Sequence, residues 1–440
     1  MSARARRVAG WGLALLALAN ACAVVGLWLV TGGPDDVHDL SSALTAAGRV
    51  AGLLGAYLVL VELLLLARIP LLERIAGFER LAAIHRVNGR AALGLLLGHA
   101  ALITAGYTIG DRISLPGELE RLITGYPGVI TAIAGLALLV AVVVTSAVAV
   151  RRRLRYETWY FVHLYAYLAV ALAFSHQLAT GTDFVARPGA RAYWYALYGV
   201  TLGSLVVFRL GLPLARSLLV HRLRVERVIE ESPGVVSVEV GGVRLDRLRA
   251  RAGQFFAWRF LTRDRWWESH PFSLSAAPDG RRLRITVKGI GDYTAALKAI
   301  PPGTRVIAEG PFGSFTAAAR RRPRVALIAG GVGITPIRAL LEDMPGGPED
   351  ITVVYRALSD DDVILRSELD ELAGRRGVEV HYELGGHDVL TPERLQALMP
   401  DIATRDVYVC GPPAMVEATR ASLGRSGVSR RHIVTERFAF

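Results

Sequence analysis

Four histidines lie in or at the edge of long apolar runs: His85 and His99 bracket "IHRVNGRAALGLLLGH" (84–99), and His163 and His176 share a second run. Imidazole is expensive in a bilayer interior and is kept there for a partner, a proton path or a metal. Fourteen residues separate His85 from His99, which on a straight helix leaves them roughly 40° from one face and about 21 Å apart along the axis. Two stacked sites on one helix follow. Haem iron takes axial imidazoles from opposite sides, and facing helices of a bundle supply them. With His163 and His176 as the second half, the pattern predicts two bis-histidine b-type haems, one per leaflet. The 13-residue step from His163 to His176 leaves those rings about 140° apart on an ideal helix. That helix must be distorted, or its histidines must reach their sites differently. Buried polar residues bonded to neighbours, or a proton relay, are the competing assignments, and two pairs with matching order favour haem. Arg49, Arg86 and Arg90 are candidates for haem propionates, although helix-end snorkelling explains Arg49 and Arg86 equally well. Glu62 reads as a snorkelling or paired residue near the inner boundary.

The elements that must hold these histidines are membrane helices. The chain has 440 residues, 52% of them hydrophobic, with a mean hydropathy of +0.36, too apolar for a purely soluble protein. Six segments, near 8–30, 48–67, 87–107, 127–150, 157–178 and 192–210, are long enough to cross ~30 Å of hydrocarbon. The first follows Arg4, Arg6 and Arg7 as a signal peptide would, but its length and the five similar segments behind it favour a retained span. Basic residues cluster before segment one, around Arg68, Arg74, Arg80 and Arg86, in "RRRLR" (151–155) and after segment six. The positive-inside rule then puts both termini in the cytoplasm and the 31–47, 108–126 and 179–191 loops outside. This topology accounts for much of the +12 net charge without nucleic acid as a partner. Cys22 and Cys410 are too far apart in the plan for a disulfide framework or a paired-cysteine zinc site.

After about residue 211 the pattern changes to β-branched alternation with turns, as in "VVSVEVGGVRL", which predicts an antiparallel β-barrel. From about 322, strand-like "RVALIAG", "DITVVYR" and "DVYVC" alternate with helical stretches, which predicts a parallel α/β domain. The expected plan is therefore multi-domain. It comprises a six-helix transmembrane domain over 1–210, a linker over 211–221, a β-barrel over 222–318 and a nucleotide-binding α/β domain over 319–440. No internal repeat or low-complexity tail is present in the sequence.

Three motifs in the second half carry chemistry. "HPFSLSAAP" (270–278) is followed by "ITVKGIGDYTAAL" (285–297), whose glycines and hydroxyl suit a pyrophosphate. "VALIAGGVGITPIRALL" (325–341) runs from an apolar strand through a glycine-rich turn into a helix, the arrangement that presents helix-terminal N–H groups to a diphosphate. "VYVCGPPAMV" (407–416) follows about 75 residues later. The motifs and their order resemble the ferredoxin–NADP reductase superfamily, and the whole chain resembles a transmembrane ferric reductase or NADPH oxidase of bacterial character.

The resemblance implies specific roles. His270, Pro271, Phe272 and Ser273 match the histidine variant of the flavin motif, with Ser273 near the reactive edge of the isoalloxazine and His270 near the FAD diphosphate. Lys288, Gly289, Gly291, Asp292, Tyr293 and Thr294 match the second flavin segment. Gly330, Gly331, Gly333, Thr335 and Pro336 carry the family's GGxGxTP turn, and Cys410, Gly411 and Pro412 its CGPP motif, with Cys410 close to the nicotinamide C4 region. Arg356 is expected to meet a 2′-phosphate, favouring NADPH over NADH. Phe438, two residues after Glu436, is expected to cover the flavin ring, with Phe440 as the fallback. Arg49 matches an arginine near the outer haem of the oxidases, whereas Ile103 stands where animal oxidases carry a further histidine. The expected activity is electron transfer from cytoplasmic NADPH through FAD and two b-type haems to an extracytoplasmic acceptor, first a ferric chelate. Alternatives are oxygen reduction to superoxide, a haem module serving a separate periplasmic enzyme, and a histidine-relay transporter. The plasma membrane is the expected location, no protein partner is required by the sequence, and no EF-hand loop is visible, so calcium control is not expected.

Overall fold

The computed structural model describes residues 3–30, 32–147, 150, 156–181, 184, 187–386 and 389–437. It divides into two units, Met1–Gly211 and Leu212–Phe440.

The first unit is helical: α1 (Ala3–Val30), α2 (Leu40–Leu65), α3 (Pro70–Ala76), α4 (Phe78–Asp111), α5 (Leu115–Gly125), α6 (Val129–Ser146), α7 (Tyr156–Thr180) and α8 (Pro188–Ser204). Six helices are long and apolar enough to cross a membrane, at Arg7–Val30, Leu40–Leu65, Arg80–Asp111, Val129–Ser146, Thr158–Thr180 and Pro188–Val220, one for each predicted segment. The 26 residues of α2 rise about 39 Å, more than a hydrocarbon core requires. Its start is fixed by a capping box in which the Asp39 carboxylate accepts from Ser42 N–H at 2.8 Å. Large apolar side chains such as Trp11, Leu15, Leu16 and Leu18 of α1 face outward, as lipid-facing positions do. "RRRLR" lies outside the described residues.

Helices α2 and α4 approach closely because small residues recur along α2 at Gly48, Gly52 and Gly55. A Cβ on Gly52 would stand 2.7 Å from His99 Nδ1, and one on Gly55 2.8 Å from Leu96 Cδ2. Without a hydrophobic drive between helices in lipid, this backbone proximity is what packing rests on. Helix α6 packs on α7 in the same manner, where a Cβ on Gly135 would be 2.9 Å from the Ala169 carbonyl oxygen.

The second unit begins with two three-stranded antiparallel sheets. β1 (Arg224–Ser232), β2 (Val235–Gly241) and β5 (Arg282–Lys288) form one in the order β1-β2-β5; β3 (Phe255–Phe260), β4 (His270–Ser273) and β6 (Val306–Phe312) form the other in the order β4-β3-β6. Single bridges at Leu274–Ile285 and Arg224–Arg305 join them, so the expected barrel is an open one rather than a closed cylinder. Strand β3 alternates, burying Phe256, Trp258 and Phe260, the period-2 signature of a half-buried strand. The Trp258 indole donates to the Phe272 carbonyl at 3.0 Å, which ties the flavin motif to this core.

The α/β part contains β7 (Val325–Gly330), β8 (Ile351–Ala357), β9 (Glu379–Leu384), β10 (Asp406–Gly411) and β11 (Ile433–Arg437), all parallel, in the order β11-β10-β7-β8-β9. Its principal helices are α9 (Ile334–Asp343), α10 (Arg366–Arg376), α11 (Pro392–Leu398) and α12 (Pro413–Arg425). β7 is the first strand, and the chain winds outward from it in both directions. The switch point therefore lies between β7 and β10, where such sheets bind ligands at their carboxyl ends. Ionic contacts hold the two parts of this unit together. Arg338 of α9, 5% exposed, pairs with Glu368 at 2.6 Å and donates to the Ser275 carbonyl at 3.2 Å; Arg284 of β5 reaches the same Glu368 at 2.9 Å.

Candidate functional site

Two of the three reductase motifs meet at that switch point. Gly330–Gly333 leave the end of β7, and Cys410–Pro412 leave the end of the neighbouring β10, which pairs with β7 at Cys410–Ala329. Gly331 has φ +54 with nothing near its missing Cβ, an open concavity that a side chain would fill. Gly333 has the opposite constraint, since a Cβ there would run into the Cys410 carbonyl oxygen. The turn thus presses on the thiol strand on one side and stays open on the other. Thr335 and Pro336 are buried in the first turn of α9, and the Thr335 hydroxyl donates to the Val332 carbonyl at 3.0 Å. They shape the turn from behind and leave the concavity to backbone.

Ser273, at the end of β4, lies beside this crevice. Its hydroxyl donates to Glu436 Oε1 at 3.3 Å, and Glu436 sits in β11 in register with Cys410 of β10. A hydroxyl, a carboxylate and a thiol from three strands are therefore gathered at one point. Full burial pushes the Cys410 thiol well above its ordinary range, and Glu436 adds to that push. The group is a neutral S–H there, not a thiolate nucleophile. The sequence offered Glu436 only as a spacing mark for Phe438; its contact with Ser273 needs the sheet order to be known. Phe438 and Phe440 lie outside the described residues.

His270 stacks on Tyr293 with ring centroids 3.8 Å apart, while Pro271 is exposed and Phe272 half-buried. The Thr294 hydroxyl caps the short turn Asp292–Ala296, accepting from Ile290 N–H and Gly291 N–H at 3.0 Å each. Gly289 N–H donates to the Gly234 carbonyl at 2.7 Å. Lys288 pairs with Asp362 at 3.0 Å, bridging the barrel to the loop after β8. Arg356 differs from its expected exposure. It is 8% exposed, and its Nε donates to the Gly386 carbonyl at 3.1 Å, whereas the exposed side chains that follow are Asp360 and Asp361.

In the helical unit the four histidines form two pairs across α4 and α7. His85 faces His163 with ring centroids 6.0 Å apart, and His99 faces His176 at 6.5 Å. Two imidazoles sharing one metal in trans, each with a bond near 2 Å, put their centroids about 6 Å apart. Three of the four rings are also anchored through Nδ1: His99 to the Gly48 carbonyl at 2.9 Å, His176 to Thr180 Oγ1 at 3.0 Å, His163 to Ser146 Oγ at 3.3 Å. His85 Nδ1 lies 2.6 Å from Glu62 Oε1 as an ion-pair contact, off the alignment of a hydrogen bond. Anchoring one ring nitrogen to a protein acceptor leaves the other to coordinate, the arrangement of metal-bound histidine. Among the described residues no group of three or more metal-ligating side chains forms; a porphyrin brings its own four equatorial nitrogens and needs only two axial ones. The residues present fit that group.

The awkward 13-residue step needs no break, because α7 is one continuous helix from Tyr156 to Thr180. Rings about 140° apart each stand roughly 70° from a line of contact between them and reach their partners from opposite flanks. Trp159 supports this end, its indole donating to Ser146 Oγ at 3.1 Å and its ring 5.1 Å from His163. Arg49 pairs with the exposed Asp36 at 3.5 Å, and Arg90 donates to the Arg86 carbonyl at 3.0 Å. Ile103 packs against α2 at Gly48, where a Cβ would meet it at 3.0 Å.

Helices long and apolar enough to span a membrane are followed on this chain by an open barrel and a parallel nucleotide-type sheet. Residues 51–174 match the ferric reductase like transmembrane component family, and residues 327–421 match the oxidoreductase NAD-binding domain family. One chain thus carries a segment similar to a ferric reductase like transmembrane component and a segment similar to an oxidoreductase NAD-binding domain. It is 28% identical over 158 residues to NADH-cytochrome b5 reductase 1 of Cryptococcus neoformans, covering 31% of this chain and 54% of that protein. It is 31% identical over 143 residues to NADH-cytochrome b5 reductase 2 of Chaetomium globosum, covering 29% of this chain and 41% of that protein. The chain therefore spans about half the length of the relatives it matches. Among solved structures it is similar to the flavohem-like FAD/NAD binding domain of nitric oxide dioxygenase from Vibrio cholerae, with a TM-score of 0.42 and 24% identity over 50% of this chain and 98% of that one.

Proposed function

We propose that this chain moves electrons from cytoplasmic NADPH or NADH, through FAD and two b-type haems, to an extracytoplasmic acceptor, first a ferric chelate. The observation that carries this is the double histidine pair. Two facing imidazole couples, at 6.0 and 6.5 Å, with Nδ1 of His99, His163 and His176 each hydrogen-bonded to a protein oxygen, favour paired ligands over isolated buried polar residues. The nucleotide crevice supports the electron-donor half.

When bound, the flavin turns a two-electron hydride delivery into single-electron steps and each haem carries one electron. The remaining work belongs to the chain. Gly331 leaves backbone room for a diphosphate, and Gly333 keeps Cys410 against the turn. The neutral Cys410 thiol offers a polarizable, uncharged wall where a nicotinamide would lie, and Ser273 with Glu436 can hold a proton at the edge of the flavin site. In the membrane His85 and His163 would ligate the inner haem, His99 and His176 the outer one. Arg86 and Arg90 would be the candidates for inner propionates and Arg49 for an outer one. The distribution of basic loops supports a multi-pass plasma-membrane protein with both termini cytoplasmic. Ile103, packed into α2, supports an outer site without a dedicated oxygen-handling histidine, so superoxide production is the second reading. For the coenzyme, Arg356 favours NADPH, while its burial favours NADH.

The test uses vesicles with the reductase face outward and a ferric chelate trapped inside. Added NADH or NADPH should reduce the trapped iron, with superoxide dismutase leaving the rate unchanged. Nucleotide oxidation without reduction of the trapped chelate would overturn the assignment of the acceptor side. Complete inhibition by superoxide dismutase would transfer the function to oxygen.

A further inference from the structure

One of the four histidine anchors differs in kind. His99, His163 and His176 lean on a carbonyl or a hydroxyl, all uncharged, whereas His85 faces the carboxylate of Glu62 at 2.6 Å. Glu62 lies in α2 inside a candidate membrane span, with its side chain 18% exposed. A carboxylate at such a position is costly to keep and calls for a partner. Among the described residues no arginine or lysine forms an ion pair with it, and its other oxygen accepts from Asn88 Nδ2 at 2.6 Å. Asn88 also donates to the Leu58 carbonyl at 2.9 Å, which pins the amide between the helices. Room for the carboxylate is made by Gly89, since a Cβ there would sit 2.7 Å from Glu62 Oε1. Glu62, Asn88 and Gly89 together aim one negative charge at the back of a single imidazole.

We propose that Glu62 is a positioning residue that sets a carboxylate directly behind His85 and so would hold the inner haem at a lower reduction potential than the outer one. The inference rests on the two-haem reading above. A carboxylate behind a coordinating histidine raises the basicity of that ligand, and a more basic axial ligand with a nearby negative charge favours the oxidised metal. Among the described residues no carboxylate pairs with His99 or His176, which rest on the Gly48 carbonyl and the Thr180 hydroxyl. Electrons arriving at His85 and His163 therefore run downhill to His99 and His176, and direction is built into the bundle rather than left to the acceptor.

The test is a potentiometric titration of the purified full chain in nanodiscs, followed by haem absorption and by low-temperature electron paramagnetic resonance. Wild type should show two one-electron waves and two distinct low-spin ferric signals, and His99→Ala should keep the lower wave. Glu62→Gln should raise the lower wave alone, by tenfold or more in the inner-to-outer electron partition, about 59 mV for a one-electron couple. Glu62→Asp, which keeps the charge, should retain a lower wave nearer that of wild type. Two equal potentials in wild type would overturn the proposal whatever the variants do, as would a Glu62→Gln protein with both waves unmoved or shifted alike. Absence of haem from wild type would instead remove the two-haem reading itself, so the two failures are distinguishable.

Discussion

Cys410 is the residue whose environment most constrains its chemistry. It is fully buried at the end of β10, and burial together with Glu436 holds its thiol pKa well above the ordinary value. For an acid whose folded pKa is raised, the neutral form is the stabilised one. Its stability contribution is complete below the unfolded thiol's titration and is lost as pH rises through the folded pKa. Native protein at pH 8 should therefore resist iodoacetamide at Cys410 and become open to it on unfolding; mass spectrometry before and after denaturation reads this directly. Rapid native alkylation of Cys410 would mean that the crevice is open and the thiol ionised. Ser273 and Glu436 belong to the same cluster. Their contact shows the limit of reading residues alone: the flavin and nicotinamide motifs are legible as strings, but that a serine of β4 meets a glutamate of β11 depends on strand order that no local spacing encodes.

The close seam between α2 and α4 governs His99. A single methyl on Gly52 would reach within 2.7 Å of His99 Nδ1, so Gly52→Ala must either displace the ring or part the helices. Overpacking of this kind costs about 1–3 kcal/mol, and here the displaced group is a proposed ligand. Gly52→Ala should lower haem retention at the His99–His176 site and leave the His85–His163 site loaded, as read by haem content and thermal loss of the absorption band. Unchanged loading at both sites would show that the seam tolerates the methyl. The membrane elements were legible because an apolar run long enough to span a bilayer has few alternative structures. The 14-residue step gave two stacked positions on α4, and the order of the basic loops gave which histidine of α7 each one faces. The second contacts were not legible: Glu62 looked like a snorkelling residue, and nothing in the sequence connects Ser146 to His163 across two helices or Gly48 to His99. Those contacts are set by helix rotation and closeness of approach, which periodicity leaves free. The β-barrel was predicted from alternation alone, and its openness reflects two short sheets joined by single bridges rather than by a continuous ladder. The burial of Arg356 follows from its position in a central strand of the parallel sheet, where the side chain is covered even at the strand's end.

On the scale of the whole chain, segments similar to a ferric reductase like transmembrane component and to an oxidoreductase NAD-binding domain lie on one polypeptide, which fixes their ratio. The proposal that links them stands on the histidine pairs, so haem content is the decisive quantity. The most direct measurement is the pyridine haemochrome content per chain of purified protein, with the dithionite-reduced spectrum, for wild type, His99→Ala, His163→Ala and the doubly substituted His85→Ala/His99→Ala. The account predicts two b-type haems in wild type, one in each single variant and none in the double variant. A wild-type protein without haem, or a His99→Ala protein that still holds two, would contradict it.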